Sequence, residues 1–288
     1  MWRRQRTGSV VCTSCGSLVG VNDERCYTCG RRNPGLWGFA PALRSLGSDL
    51  GFVTFVLGAC IVLYVATLVM SGAGIGMNGL MSLLAPSTPS LFLFGASGSI
   101  PVFLYGRWWT VVSASWLHGS FLHILFNMLW VRQLGPATAD VYGAARMVII
   151  YTVSGICGFL LSSVAGYYLI QMPLPFLRGA QFTVGASGSI FGLLAAMVYY
   201  GRRGGSSTIR SEAVRYALIL FLFGLFMPGI DNYAHAGGFA GGYLAARWLD
   251  PLRPERIDHI VVALVCLGLS ALAILVSVLD GLGVFLVR

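Results

Sequence analysis

The 288-residue chain contains no lysine: all 19 of its basic residues are arginine. That excludes a Ser–Lys dyad, a phosphate-loop lysine and Schiff-base chemistry. Charge of either sign is scarce, at 10% of residues against 56% hydrophobic. Mean hydropathy is +0.77. Such a composition belongs to a polytopic membrane protein, not to a soluble globular domain. The ten carboxylates fall in the N-terminal segment, in loops or at the ends of apolar runs. An acid in mid-membrane, which a proton-coupled transporter or an intramembrane aspartyl protease requires, is missing. No His-Glu-x-x-His occurs, which counts against a zinc metalloprotease of that type. The N-terminus is rich first in arginine and then in cysteine, so no cleavable signal peptide is expected. The net charge of +9 would suit nucleic acid, but the arginines lie between apolar runs, as in cytoplasmic membrane loops. No nucleic-acid partner is expected.

What the chain does have is apolar runs, about seven of them, each long enough for a membrane helix of roughly 20 residues. They lie near 51–71, 114–134, 147–170, 187–200, 213–227, 234–249 and 259–279. With the N-terminus inside, the cytoplasmic segments hold 16 arginines and the outer ones hold three, Arg107, Arg178 and Arg288. This bias orients the chain. The expectation is an integral protein of the inner or plasma membrane, embedded in the lipid bilayer, with a cytoplasmic N-terminus.

Residues 1–45 form a separate unit. Cys12-x-x-Cys15-Gly16 and Cys26-x-x-Cys29-Gly30 are ten residues apart. Each pair makes a tight turn that aims two thiolates at one ion, and the following glycine relieves the turn. Two such turns make a closed tetrahedral four-cysteine site, and the segment resembles a zinc ribbon. A redox dithiol pair and a rubredoxin-like iron site are the alternatives. A cytoplasmic location keeps the thiols reduced. Four protein ligands leave no open position, so the Zn2+ would be structural and the unit could serve a cytoplasmic protein partner. Cys60, Cys157 and Cys266 stand alone in apolar runs and read as packing residues.

The hexapeptide Gly-Ala-Ser-Gly-Ser-Ile occurs twice, at 95–100 and 185–190. Small residues around a serine permit a tight turn and leave the hydroxyl unshielded, as a nucleophile needs. The first copy falls in the outer loop and runs into Pro101, so Ser97 reads as a loop serine. The second opens the fourth helix, so Ser187 stands at its outer end. His123 and Asn127, at i and i+4, share one face of the second helix, in its outer half. His235 opens the sixth helix from outside. Three polar sites on three helices thus meet in one leaflet, which is a functional expectation by default. Taken singly, each has a blander explanation: a satisfied helix-end histidine, interhelical hydrogen-bond glue, or a packing serine. Small residues follow at every fourth position, Gly188, Gly192 and Ala196 after Ser187, and Gly238, Gly242 and Ala246 after His235. Paired through these stripes, the two helices bring Ser187 and His235 within reach of hydrogen-bond contact, about 3 Å. Phe191, one turn after Ser187, is placed to pack on the His235 ring. Asp231 and Asn232 read as caps of the sixth helix. His118 is assigned to support of the second-helix start or of the first loop, and His259 lies in the wrong leaflet.

With these residues in place, positions 50–250 resemble the rhomboid family of intramembrane serine proteases. His118-x4-His123-x3-Asn127 is similar to its second-helix motif, and Gly185-Ala186-Ser187-Gly188 to its Gly-x-Ser-Gly nucleophile motif. His235 with the glycines at 237, 238, 241 and 242 is similar to its sixth-helix histidine. The resemblance implies an all-α polytopic membrane protein with a six-helix core over 46–250. Residues 251–288 would supply a linker and a seventh helix, and 1–45 the small zinc ribbon and linker. It implies a Ser187–His235 dyad without an acid, an oxyanion site at Asn127 and His123, no catalytic cofactor, and a transmembrane protein as substrate. An inactive rhomboid-like protein that binds transmembrane helices and guides their fate is the alternative. The chain departs from the family in the loop after helix one, where Gly106-Arg107-Trp108-Trp109-Thr110 puts Thr110 at the place of the family's frequent Trp-Arg arginine.

Overall fold

A computed structural model describes residues 4–174, 177–227 and 229–286. Arg3 and Arg288, both counted in the charge asymmetry, lie outside the described residues. The N-terminal unit holds two short antiparallel strands, β1 (Ser9–Val11) and β2 (Leu18–Gly20), with Val10 opposite Val19. Val10, Val19 and Val21 bury with Cys12 and Cys26 in a small core of their own. So few apolar residues supply little folding energy, which is where a bound metal helps a unit of this size. A short helix α1 (Ala40–Arg44) leads toward the membrane part.

The rest of the chain is helical, as an all-α membrane fold requires, because backbone groups in lipid must be satisfied within each segment. Helix α2 (Phe52–Ser71) begins where the buried Asp49 carboxylate accepts from Val53 N at 2.6 Å. A long connecting segment follows, with α3 (Thr88–Phe94), a π-turn over Ile100–Leu104, and α4 (Thr110–Ser113). Next come α5 (Phe121–Tyr142), α6 (Ala144–Tyr168), α7 (Ser187–Arg203), α8 (Ser207–Phe226), α9 (Asn232–Trp248) and α10 (Ile257–Leu286). The seven long helices α2 and α5–α10 thus stand where the seven apolar runs predict them.

Several helices run past their apolar stretches: α5 continues to Tyr142 beyond 134, α8 begins at Ser207 before 213, and α10 continues to Leu286 beyond 279. One start falls well inside its run. The second long helix begins at Phe121, not near 114, because Leu117 is extended (φ −101°, ψ 156°) and Ser120 caps the new helix, its hydroxyl accepting from His123 N at 3.3 Å. The apolar residues 114–116 form a separate turn, Ala114–Trp116. Hydropathy alone does not see this break, since both sides of it are apolar.

Among the described residues three helices are long and apolar enough to cross a bilayer: Phe52–Gly74, Ala144–Tyr168 and Asp258–Gly283. Protein buries 61% of an 18-residue apolar stretch of the second, against 33% and 22% for the other two. Helix α6 is therefore the centre of the bundle, and α2 and α10 face lipid. Helices α7 and α9 pack on α6 and on each other. Their 17 residues each span only about 25 Å at the helical rise, less than the hydrocarbon thickness.

Glycine sets these contacts. A Cβ on Gly238 would fall onto the Gly188 carbonyl, and one on Gly242 onto the Gly192 backbone. The neighbouring stripe, Gly237 and Gly241, faces α6 instead: Cβ atoms there would come within 2.6 Å of the Cys157 carbonyl and of its sulfur. Helix α9 therefore spends one glycine face on each neighbour, and backbone-to-backbone packing follows from the missing side chains.

Arg146, an inner-loop charge by sequence, is buried, and its guanidinium donates to the carbonyls of Tyr142, Leu249, Asp250 and Arg253. It ties the start of α6 to the loop between α9 and α10. Ser14, inside the first cysteine turn, donates to the Glu255 carbonyl at 2.9 Å in that same loop.

Candidate functional site

Ser187 is the first residue of α7 and half-buried. It follows a turn that only glycine adopts without strain: Gly185 has φ +127°, and its N–H donates to the Ala114 carbonyl at 3.0 Å. One turn below Ser187, on the same face, Phe191 stacks on the His235 ring with centroids 4.2 Å apart and planes 15° from parallel. At the same level Gly188 faces the Ala234 carbonyl, to which a Cβ would approach within 3.3 Å. The glycine-lined contact of α7 with α9 thus brings the start of one helix against the start of the other.

His123 approaches from α5. Its Nδ1 accepts from Gly119 N at 3.3 Å, which leaves the proton on Nε2. That Nε2 points at the turn before Ser187, 2.5 Å from where a Cβ of Gly185 would stand. A side chain at 185 would displace it, so this glycine serves close approach as well as backbone shape. Asn127 is buried; its Nδ2 donates to the His123 carbonyl at 2.7 Å, and its Oδ1 has no partner among the described residues. His118 is fully buried, edge-on to His123 with centroids 5.3 Å apart, and neither ring nitrogen has a partner among the described residues.

The two copies of the hexapeptide meet. Ser97 of the first copy exchanges both backbone hydrogen bonds with Thr183, at 3.0 and 2.8 Å, two residues before the second copy begins. Ser97 itself is fully buried, and its hydroxyl faces Ser163 and Thr110 at 3.5 and 3.4 Å. The first copy braces the segment that leads to Ser187. His259 lies elsewhere, with its Nδ1 accepting from Arg256 N at 3.2 Å.

Two features of the region were not legible in the sequence. Asp231 caps α9 as expected, accepting from Ala234 N at 3.1 Å, and also takes the Ser162 hydroxyl of α6. Asn232, paired with it as a cap, does not cap; its Oδ1 lies 3.1 Å from His235 Nδ1. The second feature is Arg107, three residues before Thr110. It is 1% exposed and donates to the Phe92 and Ser277 carbonyls at 2.5 and 2.6 Å. Its Nε lies 3.0 Å from Asp280 Oδ2, an ion pair off the N–H direction rather than a hydrogen bond. Thr110 turns its hydroxyl back to the Arg107 carbonyl at 2.7 Å. An arginine is thus present in this loop, shifted by three residues and held by α10.

In the N-terminal unit the sulfurs of Cys12, Cys15, Cys26 and Cys29 all lie within 4.8 Å of one another. Cys12 and Cys29 are 3.8 Å apart, Cys15 and Cys26 3.5 Å. Four thiolates around one zinc at about 2.3 Å stand about 3.8 Å apart, so the donor set fits that ion. Gly16 and Gly30 close the two turns onto the Cys12 and Cys26 carbonyls at 3.1 and 2.8 Å. Burial pushes the Cys29 thiol up to about 12; burial pushes Cys15 up as well, but hydrogen bonds with Ser17, Cys29 and Cys26 together draw it down to about 6. Crowded thiols share the charge unequally in this way, and a divalent cation would hold all four as thiolates.

Comparison with known proteins places the membrane part. The rhomboid domain family model matches residues 105–251. RHOMBOID-like protein 4 of Arabidopsis thaliana is 33% identical over 166 residues, 56% of this chain and 39% of that protein. Rhomboid protease GluP of Bacillus subtilis is 32% identical over 163 residues, 56% of this chain and 29% of that one. RHOMBOID-like protein 7 of Arabidopsis thaliana is 34% identical over 167 residues, with 56% and 49% covered. The chain therefore spans less than half the length of these relatives. With the matched stretch running from the segment before α4 through α9, more than half of its residues, the chain belongs to the rhomboid family.

Proposed function

We propose that this protein is an intramembrane serine endopeptidase that cuts transmembrane-helix substrates near the outer membrane face. In this mechanism His235 takes the proton from the Ser187 hydroxyl, whose oxygen attacks the scissile carbonyl and forms an acyl-enzyme. His235 then returns the proton to the leaving amine. A water activated by the same histidine releases the acyl group. The developing oxyanion would meet the Ser187 backbone N–H, the second N–H of Asn127 Nδ2 and the Nε2–H of His123. Each such donor is worth about 10²–10³ in rate. An intact substrate helix hides its carbonyls in hydrogen bonds, so the cut would fall where small or helix-breaking residues let it unwind.

The Phe191–His235 stack, one turn from Ser187 on the paired glycine stripes, carries this assignment most directly. It holds the base on the face that presents the nucleophile. The reaction needs no metal. The four cysteines at 12, 15, 26 and 29 would hold a structural Zn2+ on the cytoplasmic side, as a small unit for stability or for a protein partner. The deciding experiment is cleavage of a single-span substrate in detergent by wild type, Ser187→Ala and His235→Ala. Both variants should lose cleavage; a Ser187→Ala protein that cleaves like wild type would refute the mechanism. Fluorophosphonate labelling that depends on Ser187 separates the enzyme from an inactive relative.

A further inference from the structure

We infer that Asn232 is a positioning residue that selects the reactive tautomer and orientation of His235; the inference rests on the Ser187–His235 assignment above. By sequence the base has no third partner, and Asp231 is the one acid nearby. The structure uses Asp231 otherwise, on the Ala234 N–H and the Ser162 hydroxyl. Asn232 is the residue that reaches the ring, its Oδ1 3.1 Å from Nδ1.

An amide oxygen can only accept, so this contact requires the proton on Nδ1. A neutral imidazole then carries its lone pair on Nε2, the nitrogen that a base facing Ser187 must use. Phe191 cannot make this choice. Stacking fixes the plane of the ring but is indifferent to a half-turn that exchanges nitrogens for carbons. The Asn232 contact is sensitive to that half-turn, so the two residues constrain different motions. Asn232 is itself held in place: a Cβ on Gly224 of α8 would run into its Oδ1, and α9 is anchored at its first turn by the Asp231 cap. When the serine proton arrives, the imidazolium keeps an acceptor at Nδ1. The role parallels that of the orienting acid in a serine triad, without its charge.

The test is steady-state cleavage of the single-span substrate by the full chain in detergent. Asn232→Ala should lower kcat by about 10²-fold with KM nearly unchanged. Because Asp231 supplies the cap, the thermal melt should stay near wild type; should the alanine protein not fold, Asn232→Ser, too short to reach Nδ1, is expected to show the same loss. Asn232→Asp restores an acceptor and should recover most of kcat. Wild-type kcat in the alanine or serine protein, or an aspartate protein as slow as the alanine one, overturns the inference. A loss carried by KM alone overturns it as well. If Ser187→Ala retains cleavage, the dyad itself is wrong and Asn232 falls with it; an inert Ser187→Ala beside a fully active Asn232→Ala sinks this inference alone.

Discussion

Removing the Asp280 carboxylate should loosen the long loop between α2 and α5 from α10. Arg107 is almost fully buried, while Asp280 is 43% exposed. The guanidinium lies over the Phe92 ring, 4.1 Å from its centroid, and donates to two carbonyls. Trp109 joins the same contact, its indole N–H donating to the Ser277 hydroxyl at 3.0 Å. Stranding a wholly buried charge costs about 3–5 kcal/mol, and an exposed pair is worth about 1 or less. Half-exposure of the acid and the two surviving carbonyl acceptors put Asp280→Ala between these, at about 1–3 kcal/mol. For a chain of this size that lowers the melting temperature by about 2–10 °C. The assay is thermal unfolding of the detergent-solubilised protein. Arg107→Met with Asp280→Ala removes both charges and should melt above Asp280→Ala alone. An unshifted Asp280→Ala, or a double variant that simply sums the two single losses, would refute the clamp. Cleavage should fall in parallel. That loop is bridged from Ser97 to Thr183 and from Ala114 to Gly185, so slack in it reaches the turn before Ser187.

Three further outcomes are expected. Gly238→Val puts side-chain atoms into the Gly188 carbonyl, so it should separate α7 from α9 and abolish both cleavage and fluorophosphonate labelling; retained labelling would refute the packing. The purified protein should carry about one zinc per chain by elemental analysis, Cys12→Ser or Cys26→Ser should lose it, and Ser187-dependent cleavage should survive in both. Ser97→Ala removes two long hydroxyl contacts but keeps the backbone bridge to Thr183, so its cleavage rate should stay near wild type; a loss as large as that of Ser187→Ala would overturn the choice of Ser187 over Ser97 as the nucleophile.

Much of the arrangement was legible because membranes simplify the problem. Hydrophobic length placed seven helices, and the arginine asymmetry, read as an orientation, would put Ser187, His123, Asn127 and His235 into one leaflet. Spacing at i and i+4 placed Phe191 under Ser187, and the stack on His235 lies where that spacing puts it. The two glycine stripes were visible, but not that 238 and 242 face α7 while 237 and 241 face α6. Periodicity defines the faces of a helix and not their neighbours. The break at Leu117 escaped because apolar residues continue through it.

What the sequence determined by itself is whatever depends on local pattern: span length, chirality of turns at glycine, cysteine spacing, and the order of polar residues along each helix. Tertiary structure alone decided the contacts between residues that are distant in the chain or that choose among rotamers. Arg107 found its acid on α10, 3.0 Å away and at the far end of the sequence. The first hexapeptide, a loop serine by context, became a brace for the second. Asn232 turned from the helix end it was expected to cap to the ring of His235. Each of these depends on which surfaces meet when the helices pack, and that is a property of the assembled bundle rather than of any segment in it.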